Sequence, residues 1–365
     1  MFPTTAFTKL TGVEYPILGA PMAGASTPDL TAAISNAGGL GPFPAAALSP
    51  EAIHQGAAEV RKRTSKPFNI NLFVLGEPRA DAQQVARALE LLAPIREELG
   101  LPPGQPPERY CPDNAAQFDA VLEERPAMAS FTFGILSRAQ VDALKARGIL
   151  VMGTATNVAE ARAWEAAGAD LVCAQGGEAG AHRGTFLGDF EASLVGTMAL
   201  VPQVVDAVRV PVIAAGGIMD GRGIAAALML GAAGVQMGTA FLTCPESGIA
   251  AAWREAILKA RETDTRVSRI YSGRYARGIV NEFMRKLTPV VDQIPAYPIQ
   301  NALTQPIRQA AGKAGRAEYL SLWAGQAASM SRGLPAAELF AALVRETEEA
   351  FRRAASAGAS AASSR

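Results

Sequence analysis

Eight short runs of mostly apolar residues punctuate the chain, at 15–22, 39–44, 68–74, 127–134, 149–155, 170–175, 211–218 and 234–242. Between them apolar positions recur at helical spacing, as over 137–147, 157–167 and 220–230. Runs without polar alternation mark strands buried on both faces, which is how parallel strands with helices outside them are buried. The helical stretches carry start signals: Pro28-Asp29, Ser49-Pro50, Ser137, Asn157 and Asp220 are capping or first-turn residues. Eight strand–helix units predict an α/β fold closed as a TIM (β/α)8 barrel. An open doubly wound sheet calls for a Gly-x-Gly-x-x-Gly turn after its first strand; Gly19-Ala20-Pro21-Met22-Ala23-Gly24 lacks that spacing and carries a proline.

Two stretches break the alternation. Residues 77–124 hold a long helical pattern, a proline-rich patch and a further helix, and 245–333 hold two Trp and several Arg. The second predicts an additional smaller, mostly helical domain covering the barrel mouth. The expected organisation is a cofactor-binding barrel over 1–247, a substrate-side domain over 248–333, a C-terminal helix returning to the barrel over 334–355, and a disordered Ala/Ser/Gly tail over 356–365.

Composition narrows the partners. Hydrophobic residues make up 49% of the 365 and charged ones 19%, which supplies one large core without metals or disulfides. Lys plus Arg equals Asp plus Glu at 34 each, with no long basic run, so a nucleic-acid partner is not expected and a small molecule is. Cys111, Cys173 and Cys244 are odd in number and far apart, which excludes a full disulfide framework and a CxxC motif and fits a reducing cytoplasm. Residues 1–15 lack the regions of an export signal, and no apolar stretch is long enough to span a bilayer. A monomer or homodimer without a metal is expected.

The densest chemistry lies in the last two units, where Gly216 and Gly217 end the seventh strand, and Gln236, Met237, Gly238 and Thr239 end the eighth. A Gly-Gly pair alone serves a tight turn equally well. Two such turns at the two barrel positions that commonly bind phosphate favour an anion cradle, because backbone amides approach closely where no Cβ intervenes. Many phosphorylated ligands meet that description, and the other strand ends narrow the choice to FMN. Gln175 ends the sixth strand, where an amide can both donate to and accept from a flavin pyrimidine. Ala20, Pro21 and Met22 form an apolar wall after the first strand, and Asn71 can bond a ring edge. Gly180 and His182 follow on a glycine-rich turn that brings an imidazole over the same mouth. His54, the other histidine, sits in a helical pattern and reads as a surface residue.

Gly19-Ala-Pro-Met-Ala-Gly24, Ala174-Gln-Gly-Gly-Glu-Ala-Gly-Ala-His182 and the stretch 211–242 resemble the successive motifs of the nitronate monooxygenases (2-nitropropane dioxygenases), class I type. The likeness runs from about residue 7 to 247 and extends into Tyr271-Ser-Gly-Arg-Tyr-Ala-Arg-Gly278. It implies non-covalent FMN at the residues just named, His182 as the active-site histidine, and oxidation of alkyl nitronates such as propionate 3-nitronate by O2, giving an aldehyde or oxo acid and nitrite. His182 would act either as a base toward a nitroalkane or as a donor that orients the anion. The family's loop usually reads Glu-Ala-Gly-Gly-His, so Ala181 predicts either a conformation open to alanine or mild strain. Tyr110, Tyr271, Tyr275 and Tyr297 are candidate cavity residues, and Arg274 and Arg277 candidate attractors of an anionic substrate.

Three rivals stand beside this reading. One is an NAD(P)H-dependent FMN reductase, acting on a quinone or an enoyl-acyl-carrier protein. Another is a non-catalytic barrel that binds a phosphorylated ligand. The third is an inosine-monophosphate dehydrogenase type of barrel, which needs a nucleophilic cysteine over its nucleotide.

Overall fold

The computed structural model describes the backbone of residues 2–363; Met1, Ser364, Arg365 and the side chains of 358–363 lie outside the described residues. The strands are β1 (Ile17–Gly19), β2 (Gly41–Pro44), β3 (Phe68–Phe73), β4 (Met128–Thr132), β5 (Leu150–Ala155), β6 (Leu171–Gln175), β7 (Ala181–His182), β8 (Val212–Ala215), β9 (Gly234–Met237), β10 (Thr265–Ser268) and β11 (Ala276–Ile279). Eight of them pair in parallel in the order β1-β9-β8-β6-β5-β4-β3-β2. The two edges meet at a Leu18–Leu40 bridge, where Gly19 N donates to Leu40 O and Leu40 N to Ile17 O, both at 3.0 Å. The fold is thus the expected TIM-like barrel.

Strand parity sorts the core. Ile17, Ile70, Leu72, Phe131, Val151, Val172, Val212 and Val235 pack outward in one cluster with the surrounding helices. Leu18, Leu40, Met128, Met152, Leu171, Cys173 and Ile213 form another cluster inside the barrel, joined by Phe7 and Val13 from the N-terminal segment. The barrel is therefore a packed core, not a pore. Helix starts behave as the sequence implies: Thr27, Ser49, Ser137, Asn157 and Asp220 each accept a backbone N–H of the first turn. Two strands are shorter than their apolar runs. Gly216 and Gly217 leave the β region at φ 116° and 71°, which stops β8 at Ala215. The run at 234–242 divides into β9 and a short helix, Thr239–Leu242, at Gly238.

The stretch expected to be mostly helical holds the helices Ala251–Leu258, Glu282–Leu287 and Ile299–Lys313 together with β10 and β11. These strands and β7 form an antiparallel sheet in the order β10-β11-β7, which ties the turn after β6 to β11 across 94 to 96 residues. Helix Ala82–Glu98 does not stand apart, since Val85, Ala88, Leu92 and Ile95 share a hydrophobic cluster with Ile270, Tyr271, Phe283 and Leu303. Helix Ala336–Ser363 buries Ala336, Leu339, Phe340 and Leu343 in the barrel–helix cluster. Its backbone continues through residues 356–363 of the expected disordered tail, of which 364 and 365 lie outside the described residues. No described helix is long and apolar enough to cross a membrane.

On β5, a Cβ added at Gly153 would lie 1.9 Å from the ring of the fully buried Trp164, whose Nε1 donates to Thr154 O at 3.2 Å. Gly153→Ala is therefore expected to destabilise the fold by about 1–3 kcal/mol through overpacking. Urea unfolding checks this, and an unchanged midpoint would contradict the packing described.

Candidate active site

Toward the C-terminal ends of the strands the inward side chains become polar. Asn69 and Asn71 on β3 donate to Ser130 Oγ at 2.8 and 3.0 Å, and Thr132 and Thr154 hydroxyls meet at 3.2 Å. Gln175, Ala215 and Gln236 occupy one rung across β6, β8 and β9. Asn71 also gives its amide to Ser130 O at 3.0 Å, so its nitrogen is already engaged within the barrel. Gln175 is engaged at both ends: Nε2 donates to His182 O at 3.0 Å, and Oε1 accepts from Gly184 N at 2.8 Å. It ties down the turn that carries the histidine. Met237 lies in the outward cluster, 1% exposed, so toward the mouth it offers only backbone, and its O accepts from Ala20 N at 2.8 Å.

Three helices begin close to the ends of β6, β8 and β9. Helix Thr197–Ala207 has no cap of its own, and Glu178 from the turn after β6 supplies one, accepting from Thr197 N at 2.9 Å and Thr197 Oγ1 at 2.8 Å. Helix Gly221–Met229 is capped by Asp220. Helix Thr239–Leu242 starts at Gly238 without a side-chain cap, which leaves its first amides for another acceptor. Beside it, a Cβ on Gly238 would stand 3.2 Å from Ala20 Cβ and 3.4 Å from Met22 Sδ, while Gly216 and Gly217 hold φ values that disfavour any side chain. Gly180 packs under Ala324 and Gly325, where a Cβ would come within 2.5 Å of Gly325 N, and that N donates to Thr239 Oγ1 at 3.0 Å. Ala20, Met22, Gly180, Gly216, Gly217, Gly238 and Thr239 are thus brought together as a cradle, with Pro21 in the same loop, and a Cβ at Gly180, Gly216 or Gly238 would crowd the protein atoms behind it. This geometry fits a phosphate. Gly325 and Gln326, whose N donates to Glu178 O at 3.0 Å, complete it without any periodicity that would have singled them out.

His182 lies on β7, paired with Ala276 of β11. Its ring is enclosed by Phe133, Tyr297 and Trp323, with centroids 5.4, 5.7 and 5.5 Å away, and by Phe73 at 6.5 Å. Nε2 meets Ser272 Oγ at 2.8 Å, and among the described residues Nδ1 has no partner. Burial, then the positive charges of Arg274 and Arg308, push its pKa down to about 3, so the imidazole is neutral at physiological pH. The residue before it, Ala181, has φ 58°, and Phe133 has φ 82°. Both lie in the left-handed region, so this chain carries the strain foreseen for Ala181, about 1–2 kcal/mol per non-glycine residue.

The arginines divide into two groups. Arg183 and Arg277 hold the turn, bonding to the carbonyls of Gly176, Ser193 and Gly177. Arg274 lies over the Phe133 ring at 4.0 Å, donates to Arg183 O and Thr185 O, and so borders the histidine. Tyr297 belongs to the ring cluster, but Tyr271 gives its hydroxyl to Asn281, and Tyr275 stacks on Phe190 with 36% of its surface exposed. Tyr110 packs beside the hydrophobic cluster that helix Ala82–Glu98 shares with the segment after β9. His54 bonds Glu124 Oε1 at 2.5 Å, between the outer helices Pro50–Arg63 and Asn114–Glu124. Burial pushes the thiols of Cys173 and Cys244 up to about 12, which removes them as nucleophiles and with them the support for the dehydrogenase-type rival.

A family model described as nitronate monooxygenase matches residues 4–346. A probable nitronate monooxygenase of Staphylococcus saprophyticus is 43% identical over 354 residues, covering 96% of this chain and 99% of that one, and one of Staphylococcus aureus is 40% identical over 352 residues with the same coverage. Among solved structures, the chain is similar to nitroalkane oxidase from Streptomyces ansochromogenes, with TM-score 0.88, 39% identity, and coverage of 96% and 99%. It is also similar to FabK from Thermotoga maritima, with TM-score 0.76, 31% identity, and coverage of 96% and 98%.

The depressed pKa of His182 makes a prediction about stability. Between pH 6.5 and about 3 the unfolded chain binds a proton at this residue that the folded chain does not, so stability is complete above that window and falls as pH drops through it. The contribution is at most about 1.4 kcal/mol per pH unit. Urea unfolding at pH 7, 6 and 5 should show a shallower acid loss for His182→Gln than for the parent, and parallel curves would refute the neutral imidazole.

Proposed function

This chain belongs to the nitronate monooxygenase family, an oxidoreductase family, and on that footing we propose that it oxidises alkyl nitronates with O2 on a bound FMN, releasing nitrite and an aldehyde or oxo acid. The observation that carries the reading is the convergence, at one barrel mouth, of a glycine cradle fit for a phosphate and a neutral imidazole with a free Nδ1. Gly216, Gly217, Gly238 and Thr239 would hold the phosphate, while Met22, Asn71, Gln175 and Gln236 would border the ring. Thr239 Oγ1 accepts from Gly325 N and keeps its own hydrogen to give to an anion. Bound FMN supplies the redox chemistry, taking electrons from the substrate and passing them to O2.

The state of His182 favours one of its two roles. A useful general base titrates near the working pH, and an imidazole held near 3 is a poor acceptor of a proton from a neutral nitroalkane. A neutral imidazole can instead donate. When Ser272 gives its hydroxyl proton to Nε2, at 2.8 Å, the imidazole proton sits on Nδ1 and faces the nitronate oxygens. Ser272 Oγ also lies 3.1 Å from Arg274 O, its alternative acceptor, so this one hydroxyl sets the tautomer. Tyr297, with its phenol pushed up to about 12, stays protonated and, with Phe133 and Trp323, excludes water from the reacting atoms.

The purified protein is expected to be yellow, to release nitrite from propionate 3-nitronate and ethylnitronate, and to keep its colour when mixed anaerobically with NADH. His182→Ala should lower kcat/KM by roughly 10²–10⁴-fold while retaining the flavin. Bleaching by NADH without nitrite release would move the assignment to the NAD(P)H-dependent reductase, and a colourless protein that takes up no FMN would remove both.

A further inference from the structure

We propose that Glu160 is a positioning residue for the reaction, anchoring to a barrel helix the circuit of hydrogen bonds that aims His182; this rests on the nitronate reading above. Glu160 stands in the first turn of helix Val158–Ala167 and is fully buried. Its two oxygens serve different elements. Oε2 accepts from Thr156 N at 2.6 Å and Thr156 Oγ1 at 2.8 Å, a pairing within its own helix start. Oε1 accepts from Phe186 N at 2.5 Å and Leu187 N at 2.8 Å, on the loop that follows the histidine. Asn157 Nδ2 holds the same loop by donating to Leu187 O at 3.2 Å. Starting the helix needs only the first pair of bonds, and the second pair serves the loop. Gln175 secures the turn at His182 and Gly184, and Glu160 secures it just beyond.

The hydroxyl order is fixed from the carboxylate outward. Glu160 can only accept, so Thr156 donates to it, and Thr185 must then donate at the 2.9 Å contact between the two threonine hydroxyls. Thr185 O accepts from Arg274 Nη2, and Arg183 O from Arg274 Nε at 3.2 Å. These bonds fix Arg274, whose backbone N and O lie 3.3 and 3.1 Å from Ser272 Oγ. Ser272 Oγ in turn meets His182 Nε2 at 2.8 Å, which closes the circuit, because His182 and Thr185 belong to one short segment. Arg274 thus gives its side-chain hydrogen bonds to the loop that Glu160 pins, so freedom at 185–187 passes to Ser272 and to the tautomer of His182.

The test uses holoenzyme of the parent, Glu160→Gln and Thr185→Val, with Thr185→Ser as the conservative control. Glutamine replaces one acceptor oxygen by an NH2 group, which sets N–H against N–H on one side of the residue. For nitrite release from ethylnitronate, Glu160→Gln should lower kcat roughly tenfold and leave KM within about threefold. Thr185→Val should lower kcat by about two- to fivefold, and Thr185→Ser should match the parent. The second readout is the ring-nitrogen NMR signals of protein isotope-labelled at histidine, which carries only His54 and His182. The parent should show His182 as a single neutral tautomer with its proton on Nδ1. Glu160→Gln should draw the two His182 signals together, as a mixture of tautomers does, and leave those of His54 in place. Unchanged His182 signals in a folded Glu160→Gln overturn the proposal, and so does an unchanged kcat. If Glu160→Gln does not fold, the same two measurements on Thr185→Val decide it. A parent that oxidises no nitronate overturns the nitronate reading alone, because the nitrogen signals still show whether Glu160 fixes the imidazole.

Discussion

Gln175 grips the turn after β6 on both sides of the histidine, and the rest of the site depends on that grip. The turn itself is rich in glycine and has only the two residues of β7 as regular structure. Left to its own conformational entropy it would not aim an imidazole. It is held instead by side chains that spend their hydrogen bonds on its backbone, Gln175 on His182 and Gly184, Arg183 on Gly176 and Arg277 on Gly177, and by the backbone N–H of Gln326 on Glu178 O. Each guanidinium-to-carbonyl bond is charge-assisted, worth about 1.5–3 kcal/mol. Together they outweigh the strain of Ala181 and keep the turn in one shape.

That way of fixing a loop has an electrostatic consequence. An arginine bonded to carbonyls has its donors satisfied while its charge stays, because a carbonyl carries a dipole and no net charge. Glu160, fully buried, balances part of it: it accepts from Thr156, Phe186 and Leu187 and lies in reach of Arg183 and Arg274. The excess remains near His182, where it adds to burial in keeping the imidazole neutral. Holding the loop and making the cavity attractive to anions are thus one arrangement seen from two sides.

The barrel and its glycine mouth were legible because both leave local marks. Strands buried on two faces read as unbroken apolar runs, and helix starts as Ser49, Ser137, Asn157 and Asp220. The cradle was visible because two successive strands end in glycine. Parity was harder to read. Treating 234–242 as one strand obscured the fact that Val235 and Met237 face outward and Gln236 inward, which follows only from pairing with β1 and β8. Ser272 lay unremarked inside the stretch 271–278, and Phe133, Trp323 and Gly325 were not singled out as site residues. They reach His182 or the cradle across spans of 49 to 145 residues or through a strained φ, and such contacts are fixed by tertiary packing, to which periodicity is blind.

The division of origin suggests why one scaffold can serve different substrates. Everything in the glycine cradle proposed to hold a phosphate, except Gly180, Gly325 and Gln326, lies at or just past strand ends that the barrel ladder fixes. Everything that borders the histidine on its far side, Ser272, Arg274, Tyr297 and Trp323, comes from the segment after β9, which has a hydrophobic cluster of its own shared with helix Ala82–Glu98. A change in that cluster moves the substrate side without disturbing the ladder, and a change in the ladder disturbs both. On the proposed function, the parts that would set which molecule is accepted are therefore free to vary where those that would hold the cofactor are not.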